Sequence, residues 1–223
     1  MGRIHWFSKI GRDKVESILL NNGFRVKRSK AYHKTTIRGY FIFENLIKQL
    51  KINKLNQVWV SDITYYFIVE KGKVTHYYLT FIMDLFSRHI LGYAVSDNLI
   101  TENTTLPALE MALKTRNISE NRQLEGLIFH SDGGGQYADK NFLSLLQSFE
   151  ITSSMAKQAY ENPNSERLNG TIKNDYLLPW DVNSYCQLKL LTPKAVRLYN
   201  EEKPHSALKG LTPTEFEQSL RNT

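Results

Sequence analysis

The feature that most constrains the fold is a run of three β-rich segments, Val58 to Val69, His76 to Met83 and His89 to Val95, separated by short connections. β-Branched and aromatic residues dominate all three, and these types suit a pleated, half-buried surface. Ser87-Arg88 reads as the second turn. Strands joined so closely pair antiparallel, so a three-stranded meander is expected. Beyond it the pattern alternates. Thr101-Glu-Asn-Thr opens a helix that Leu106, Leu109, Met111, Ala112 and Leu113 carry to about Lys114, and Leu127-Ile-Phe is a short buried strand. Phe142, Leu145, Leu146 and Phe149 mark another helix, Ile151-Thr-Ser-Ser another strand, and Pro163 stands where a helix begins. The order is βββαβαβα, followed by a helical tail whose segments Thr192 to Glu201 and Thr212 to Leu220 are each opened by Thr-Pro.

A chain of 223 residues with 41% apolar composition buries one sizeable core. No apolar run approaches the roughly 20 residues of a membrane span, and the first residues lack a secretory pattern, so a cytoplasmic protein without membrane contact is expected. Cys186 is the only cysteine, which excludes an internal disulfide and any zinc site built on paired cysteines; it reads as a core residue. Charge is uneven. Residues 1–54 carry +10 while the other 169 sum to −3. Phosphate neutralisation by such an arm is the sequence-independent part of nucleic-acid affinity. Val15, Ile18 and Leu19 place a short amphipathic helix in the arm, stopped by Asn22-Gly23. The domains expected are a basic, helical, DNA-binding arm over 1–54 and a core over 55–223, with the helical tail occupying 180–223.

Three carboxylates interrupt segments that otherwise belong in a core. Asp62 lies mid-strand in Val58-Trp-Val-Ser-Asp-Ile-Thr, and Asp132 follows the strand Leu127-Ile-Phe-His-Ser and precedes Gly133-Gly134-Gly135. The C-terminal mouth of a strand is the usual place for sites in open α/β sheets. At helical spacing Glu166 shares a face with Asn169, Gly170 and Lys173, opposite Leu168 and Ile172. Each acid alone also fits a turn, an edge or a solvated face. Together they suggest a divalent cation, because a carboxylate taken out of water needs a partner. Gly170 is costly in a helix and suggests that something bulky presses close.

Trp59-x-x-Asp62-Ile-Thr, His130-Ser-Asp132-x-Gly-x-Gln-Tyr137 and Glu161-Asn-x-x-x-Glu166-Arg-x-Asn-Gly-x-x-Lys173 resemble the three acidic blocks of bacterial insertion-sequence transposases of the DDE type, specifically the second-reading-frame product of two-frame elements. The tail Tyr199-Asn-Glu-Glu-Lys-Pro-His-Ser-Ala-Leu and Leu211-Thr-Pro-Thr-Glu-Phe resembles that family too. The resemblance implies an α/β, ribonuclease-H-like fold shared with retroviral integrases, a mixed five-stranded sheet flanked by helices. It implies that Asp62, Asp132 and Glu166 are catalytic and hold two Mg²⁺ ions, with Mn²⁺ as a substitute. The reaction it implies is hydrolysis of a phosphodiester at a transposon end, then attack of the freed 3′-hydroxyl on another strand. Lys173 would hold a phosphate near the terminal bases, with Arg167 and Asn169 beside it. Lys157, Gln136 and Tyr137 would line the DNA path. The implied partners are transposon-end and target DNA, further copies of the chain on that DNA and a first-frame helix-turn-helix protein, in a nucleoid-associated setting.

Two departures from the family pattern stand out. The interval from Asp132 to Glu166 is short, with no glycine in Ala156-Lys-Gln-Ala-Tyr, and Lys203 stands where the family has Arg before Pro-His. The first, with a start at Met1 inside the basic region that normally follows the first-frame helix-turn-helix, keeps open the alternative of a catalytically inactive DNA-binding remnant or transposition regulator; the second bears on a bidentate role at that position. A ribonuclease-H-type nuclease without strand transfer is a third reading. The pair His130-Ser131 lacks the surroundings of a hydrolase nucleophile.

Overall fold

The computed structural model describes residues 11–24, 43–70, 72–118 and 126–221. The chain divides into two compact units, residues 1–35 and 36–223. In the first, α1 (Arg12–Asn21) is the expected arm helix, ended where Asn22 Nδ2 donates to Ile18 O and Gly23 takes a positive φ of 80°. The basic stretch after Phe24 falls at 25–42, outside the described residues.

The second unit is built on β1 (Val58–Glu70), β2 (Lys73–Asp84), β3 (Ile90–Ser96), β4 (Ile128–Ser131) and β5 (Thr152–Met155). They form one mixed sheet in the order β3-β2-β1-β4-β5. The meander β1-β2-β3 is antiparallel, as its short turns require, while β4 runs parallel to β1 and β5 parallel to β4. Helices α2 (Thr105–Thr115), α3 (Lys140–Ser148), α4 (Pro163–Thr171), α5 (Tyr185–Glu202) and α6 (Pro213–Arg221) complete the unit.

Strand periodicity splits the core in two. Val58, Val60, Tyr66 and Ile68 of β1 join Leu168 of α4 and Leu188, Ala195 and Tyr199 of α5 in one cluster. Trp59 faces the other way and joins Ile82, Leu109, Phe129 and Phe142, with α2 and α3 above them. A Cβ on Gly92 would lie 2.1 Å from the Ala108 carbonyl, so this glycine lets α2 approach β3 closely. Residues 43–54, which the sequence reading groups with the arm, pack with the sheet. Leu46 N–H donates to Ser154 Oγ (2.9 Å), Met155 N–H to Glu44 O (3.3 Å), and Ile47 and Ile52 lie against the first cluster.

The tail differs from the sequence expectation. Helix α5 begins at Tyr185 rather than Thr192, because Ser184 Oγ caps it by accepting from Gln187 N–H, and Pro193 lies inside it. An interior proline forfeits one backbone bond at about 3 kcal/mol; burial of Leu188, Ala195 and Tyr199 along the same helix offsets that loss. α6 does begin at its Thr-Pro, where Thr212 and Glu215 exchange side-chain-to-backbone bonds of 3.2 and 3.0 Å. Cys186, read as a core residue, is exposed, since the buried face of α5 is taken by Leu188 and the residues in phase with it. Asn200, from the tail's Tyr-Asn pair, accepts from Ile90 N–H (2.9 Å) and donates to Ile90 O (3.0 Å), clamping α5 to β3.

Candidate active site

The three acids come from three elements. Asp62 is central in β1, opposite Phe81 of β2, on the face covered by α4. Asp132 leaves the end of β4, where Oδ1 accepts from Gly134 N–H at 3.1 Å. A Cβ on Gly134 would meet that same oxygen at 3.0 Å, so the glycine allows the tight turn that presents Asp132. Glu166 sits exposed in the first turn of α4, a helix whose proline occupies the opening turn as expected.

Electrostatics show that the acids are neighbours. Burial raises the Asp62 carboxyl, and the charges of Asp132 and Glu166 raise it further, to about 8; the Ile63 N–H and the Asn169 amide pull only part of the way back. Burial also raises Asp132 above the ordinary carboxylate range, against the Gly134 N–H. Among the described residues no three His, Cys, Asp or Glu side chains are gathered closely enough to form a ready cage for a metal ion. The donor set nonetheless fits a hard divalent cation. It offers carboxylate oxygens alone, and their repulsion is what such a charge would relieve.

One residue ties the three elements together. Ser61, next to Asp62, pairs its Oγ with the Tyr137 hydroxyl at 2.8 Å, and its carbonyl accepts from Asn162 Nδ2 at 2.9 Å. Tyr137 belongs to the turn that follows Asp132, and Asn162 immediately precedes α4, whose backbone it joins by accepting from Glu166 N–H. Tyr137 was expected along the DNA path. It is instead buried at 2% exposure among Phe129 and Phe142, because its ring fills the second core cluster. Gln136 is half-buried and donates to Leu99 O at 2.8 Å.

The polar face of α4 turns towards β1. Asn169 is buried and donates to Asp62 Oδ2 at 2.8 Å, so it serves an acid rather than projecting at a ligand. Lys173 Nζ donates to Thr64 Oγ1 at 2.7 Å, and burial holds this lysine below its ordinary range while Asp62 pulls it upward. The helix reading placed Lys173 on a regular helix. The structure places it in a π-helical segment, Ile172–Leu177, that continues α4. Arg167 and Lys157 are exposed, Lys157 in the loop between β5 and α4. A Cβ on Gly170 would find only Asn174 Nδ2, at 3.9 Å, so nothing inside the described residues requires glycine there. His130 is no catalytic base: it is buried, pairs Nδ1 with Ser154 Oγ, and burial lowers it to about 4.

The sequence reading missed Ser61 and Asn162 as positioning residues. Asn162 carried a signal, since it lies in the Glu161-Asn-x-x-x-Glu166 block; Ser61 carried none.

A mixed sheet of this order flanked by these helices is a ribonuclease-H-like fold, with acids on its central strand, at the neighbouring strand's exit and on the helix across them. Residues 53–160 and 148–213 each match a family described as the integrase core domain. The chain is 28% identical over 215 residues to a 31 kDa protein of insertion element IS600 from Shigella sonnei, covering 94% of this chain and 75% of that protein. It is 29% identical over 209 residues to the transposase InsF of insertion sequence IS3A from Escherichia coli, covering 91% and 69%. The catalytic core of HTLV-2 integrase, solved with magnesium, superposes with a TM-score of 0.54 at 21% identity over 72% of this chain and 95% of that one. That of BIV integrase gives 0.51 at 15% identity over 75% and 97%. These two likenesses establish the fold. The chain belongs to the integrase core domain family, as a bacterial insertion-sequence transposase of the DDE type. Its function is that of a transposase catalytic chain in DNA transposition and recombination. No helix among the described residues is long and apolar enough to cross a membrane.

Proposed function

We propose that Asp62, Asp132 and Glu166 are the catalytic carboxylates and together hold divalent cations, two Mg²⁺ replaceable by Mn²⁺, during phosphodiester chemistry on DNA. The observation that carries this is the Asp62 carboxyl, held up to about 8 by burial and by two neighbouring acids, with an amide and a backbone N–H as its hydrogen-bond compensation. When bound, the cations supply an activated water and neutralise charge on the attacking and leaving oxygens.

The chain's own residues do the rest. Asn169 holds Asp62 Oδ2, which orients that carboxylate. The Gly134 N–H does the same for Asp132 Oδ1. Ser61, through Tyr137 and Asn162, sets the spacing of the two loops and the helix. Lys173, on Thr64 in the free chain, moves to a DNA phosphate, and Arg167, Lys157 and Gln136 support the strand beyond it. Water hydrolyses a phosphodiester at the transposon end and leaves a 3′-hydroxyl. That hydroxyl then attacks a phosphodiester of another strand, forming one bond and releasing one 3′-oxygen, which takes up a proton. Both steps use the same three acids. Homo-oligomers on DNA and a first-frame helix-turn-helix partner complete this reading.

The test is end cleavage and joining on element-end DNA with Mg²⁺ or Mn²⁺, with and without a first-frame partner. Asp62→Asn, Asp132→Asn and Glu166→Gln should each abolish both steps while circular dichroism stays unchanged. Activity in all three variants would sink the assignment. An inert wild type that still binds DNA would favour the remnant or regulator.

A further inference from the structure

An open groove of about 320 Å³ is bounded by the β2–β3 turn, the first turn of α4, which also carries Glu166, and the loop after Lys203. Arg88, Asn164, Phe86, Ala207 and Leu208 are among its lining residues, and no acid is. Arg88 is presented by the turn at a positive φ of 61°, and its guanidinium donates to the neutral amide oxygen of Asn164. Burial holds Arg88 below its ordinary range, Arg167 opposes it as a like charge, and Asp84 acts in its favour. Asp84 is already committed, to three backbone N–H groups and to Arg116.

Arg167 stands three residues beyond Asn164, on the same side of α4, and is exposed. Neither arginine makes an ion pair among the described residues. The tail closes the third side. Tyr199 and His205 pack edge to face at 4.9 Å, and burial, with Lys203 and Arg88, lowers His205 to about 4, which leaves it a neutral ring in this cationic corner. Lys203 is partly spent on Asp175 at 3.0 Å.

We infer that this groove is a binding site for a backbone phosphate of DNA, anchored by the guanidinium groups of Arg88 and Arg167 and walled by the tail loop Lys203–Leu208. The inference rests on the transposase chemistry proposed above, which brings a polyanion to Glu166, the immediate neighbour of Arg167. A half-buried guanidinium with only a neutral amide as its side-chain partner is an electrostatic cost in the free chain, and a phosphate relieves it with charge-assisted, bidentate bonds that the exposed Arg167 can extend. The same placement gives the tail motif Tyr199 to Leu208 a role. Asn200 pins α5 to β3 and so fixes the loop opposite Arg88.

The experiment is DNA binding by full-length Arg88→Gln, Arg167→Gln and Arg88→Lys, followed by fluorescence anisotropy across a salt series on element-end and unrelated duplexes. Each Gln variant should weaken binding about tenfold, and loss of one phosphate contact should reduce the salt slope by about 0.9. Arg88→Lys, which keeps charge without the fork, should fall between. Weakening confined to element-end duplex assigns the phosphate to the transposon end. Weakening on both duplexes, with slower joining of pre-cut ends, assigns it to the target. Unchanged affinity and slope in both Gln variants would overturn the inference. Arg88→Gln is checked by thermal melting, and if it unfolds Arg88→Lys decides: binding equal to wild type on both duplexes would then overturn the inference. A wild type that neither cleaves nor joins, yet loses affinity on Arg88→Gln, would refute the chemistry and uphold the groove.

Discussion

Two sets of buried acids lie in this molecule, and they are treated oppositely. Asp84 is fully buried, which raises its carboxyl, but it is compensated from within: Oδ1 accepts from Phe86 and Ser87 N–H at 2.9 and 3.1 Å and Oδ2 from Asn56 N–H at 2.7 Å. Glu217, 5% exposed, meets Arg116 through both oxygens, a bidentate pair that fastens α6 to the end of α2. Burial pushes Glu217 up, but Arg116, with Ser87 and His89, more than reverses it and the carboxyl ends below its ordinary range. Asp62 ends far above, raised first by burial and then by neighbours that are other acids. A buried carboxylate satisfied from within is structural; one left to repel its own kind is kept for something that arrives.

The contrast breaks most sharply at Arg116. Arg116→Ala strands Asp84 and Glu217 and should cost about 3 to 5 kcal/mol, a drop of roughly 10 °C in melting temperature for a chain of this size, with activity per folded molecule preserved. A variant that melts like wild type would erase the distinction.

Asp62 sharpens it from the other side. Its carboxyl titrates near its ordinary 3.8 when unfolded and at about 8 when folded. Between those values the folded chain holds a proton that the unfolded chain lacks, so stability in chelator should fall as pH rises from about 4 to about 8 and then level off. Asp62→Asn should flatten that slope, and added Mg²⁺ should flatten it in wild type. Melting curves at half-unit pH intervals measure it; parallel curves for both proteins would contradict the shared-charge reading.

A smaller effect is expected at Tyr137→Phe, which keeps the ring in its core and removes the bond to Ser61. Loss of that bond should cost about 1 kcal/mol, and Mn²⁺ titration followed by calorimetry should show weaker binding, because the Asp132 loop is no longer tied to β1. Unaltered Mn²⁺ affinity would make Ser61 a packing residue only. The smallest change is Gly170→Ala. It should stabilise α4 by up to about 1 kcal/mol and weaken DNA binding; tighter or equal binding would show that nothing approaches that face.

Much of this was legible along the chain. The meander followed from residue types that only a sheet accommodates, and the later alternation followed from the change of period. Asp62 and Asp132 stood out as charges beside apolar strand residues, and Glu166 through its helix face and the block it shares with Asn169 and Lys173. The misreadings have a common cause. Thr192-Pro193 reads as a helix start because a proline's local cost is visible in sequence, whereas the burial of Leu188 and Tyr199 that overrides it is not. Tyr137 and Asn169 read as ligand contacts because both lie within acidic blocks. Their partners, Ser61 and Asp62, are 76 and 107 residues away, where no local pattern points to them.

The order of elements, the family and the three acids can be read along the chain, because period, turn chemistry and motif spacing act over a few residues. Tertiary structure alone decided that Ser61 links the three acid-bearing segments, that Asn169 serves Asp62, and that Arg88 meets the α4 turn across a groove closed by the tail. Those relations depend on the sheet order β3-β2-β1-β4-β5. It places remote segments side by side, and only at that distance do charges and hydrogen bonds act.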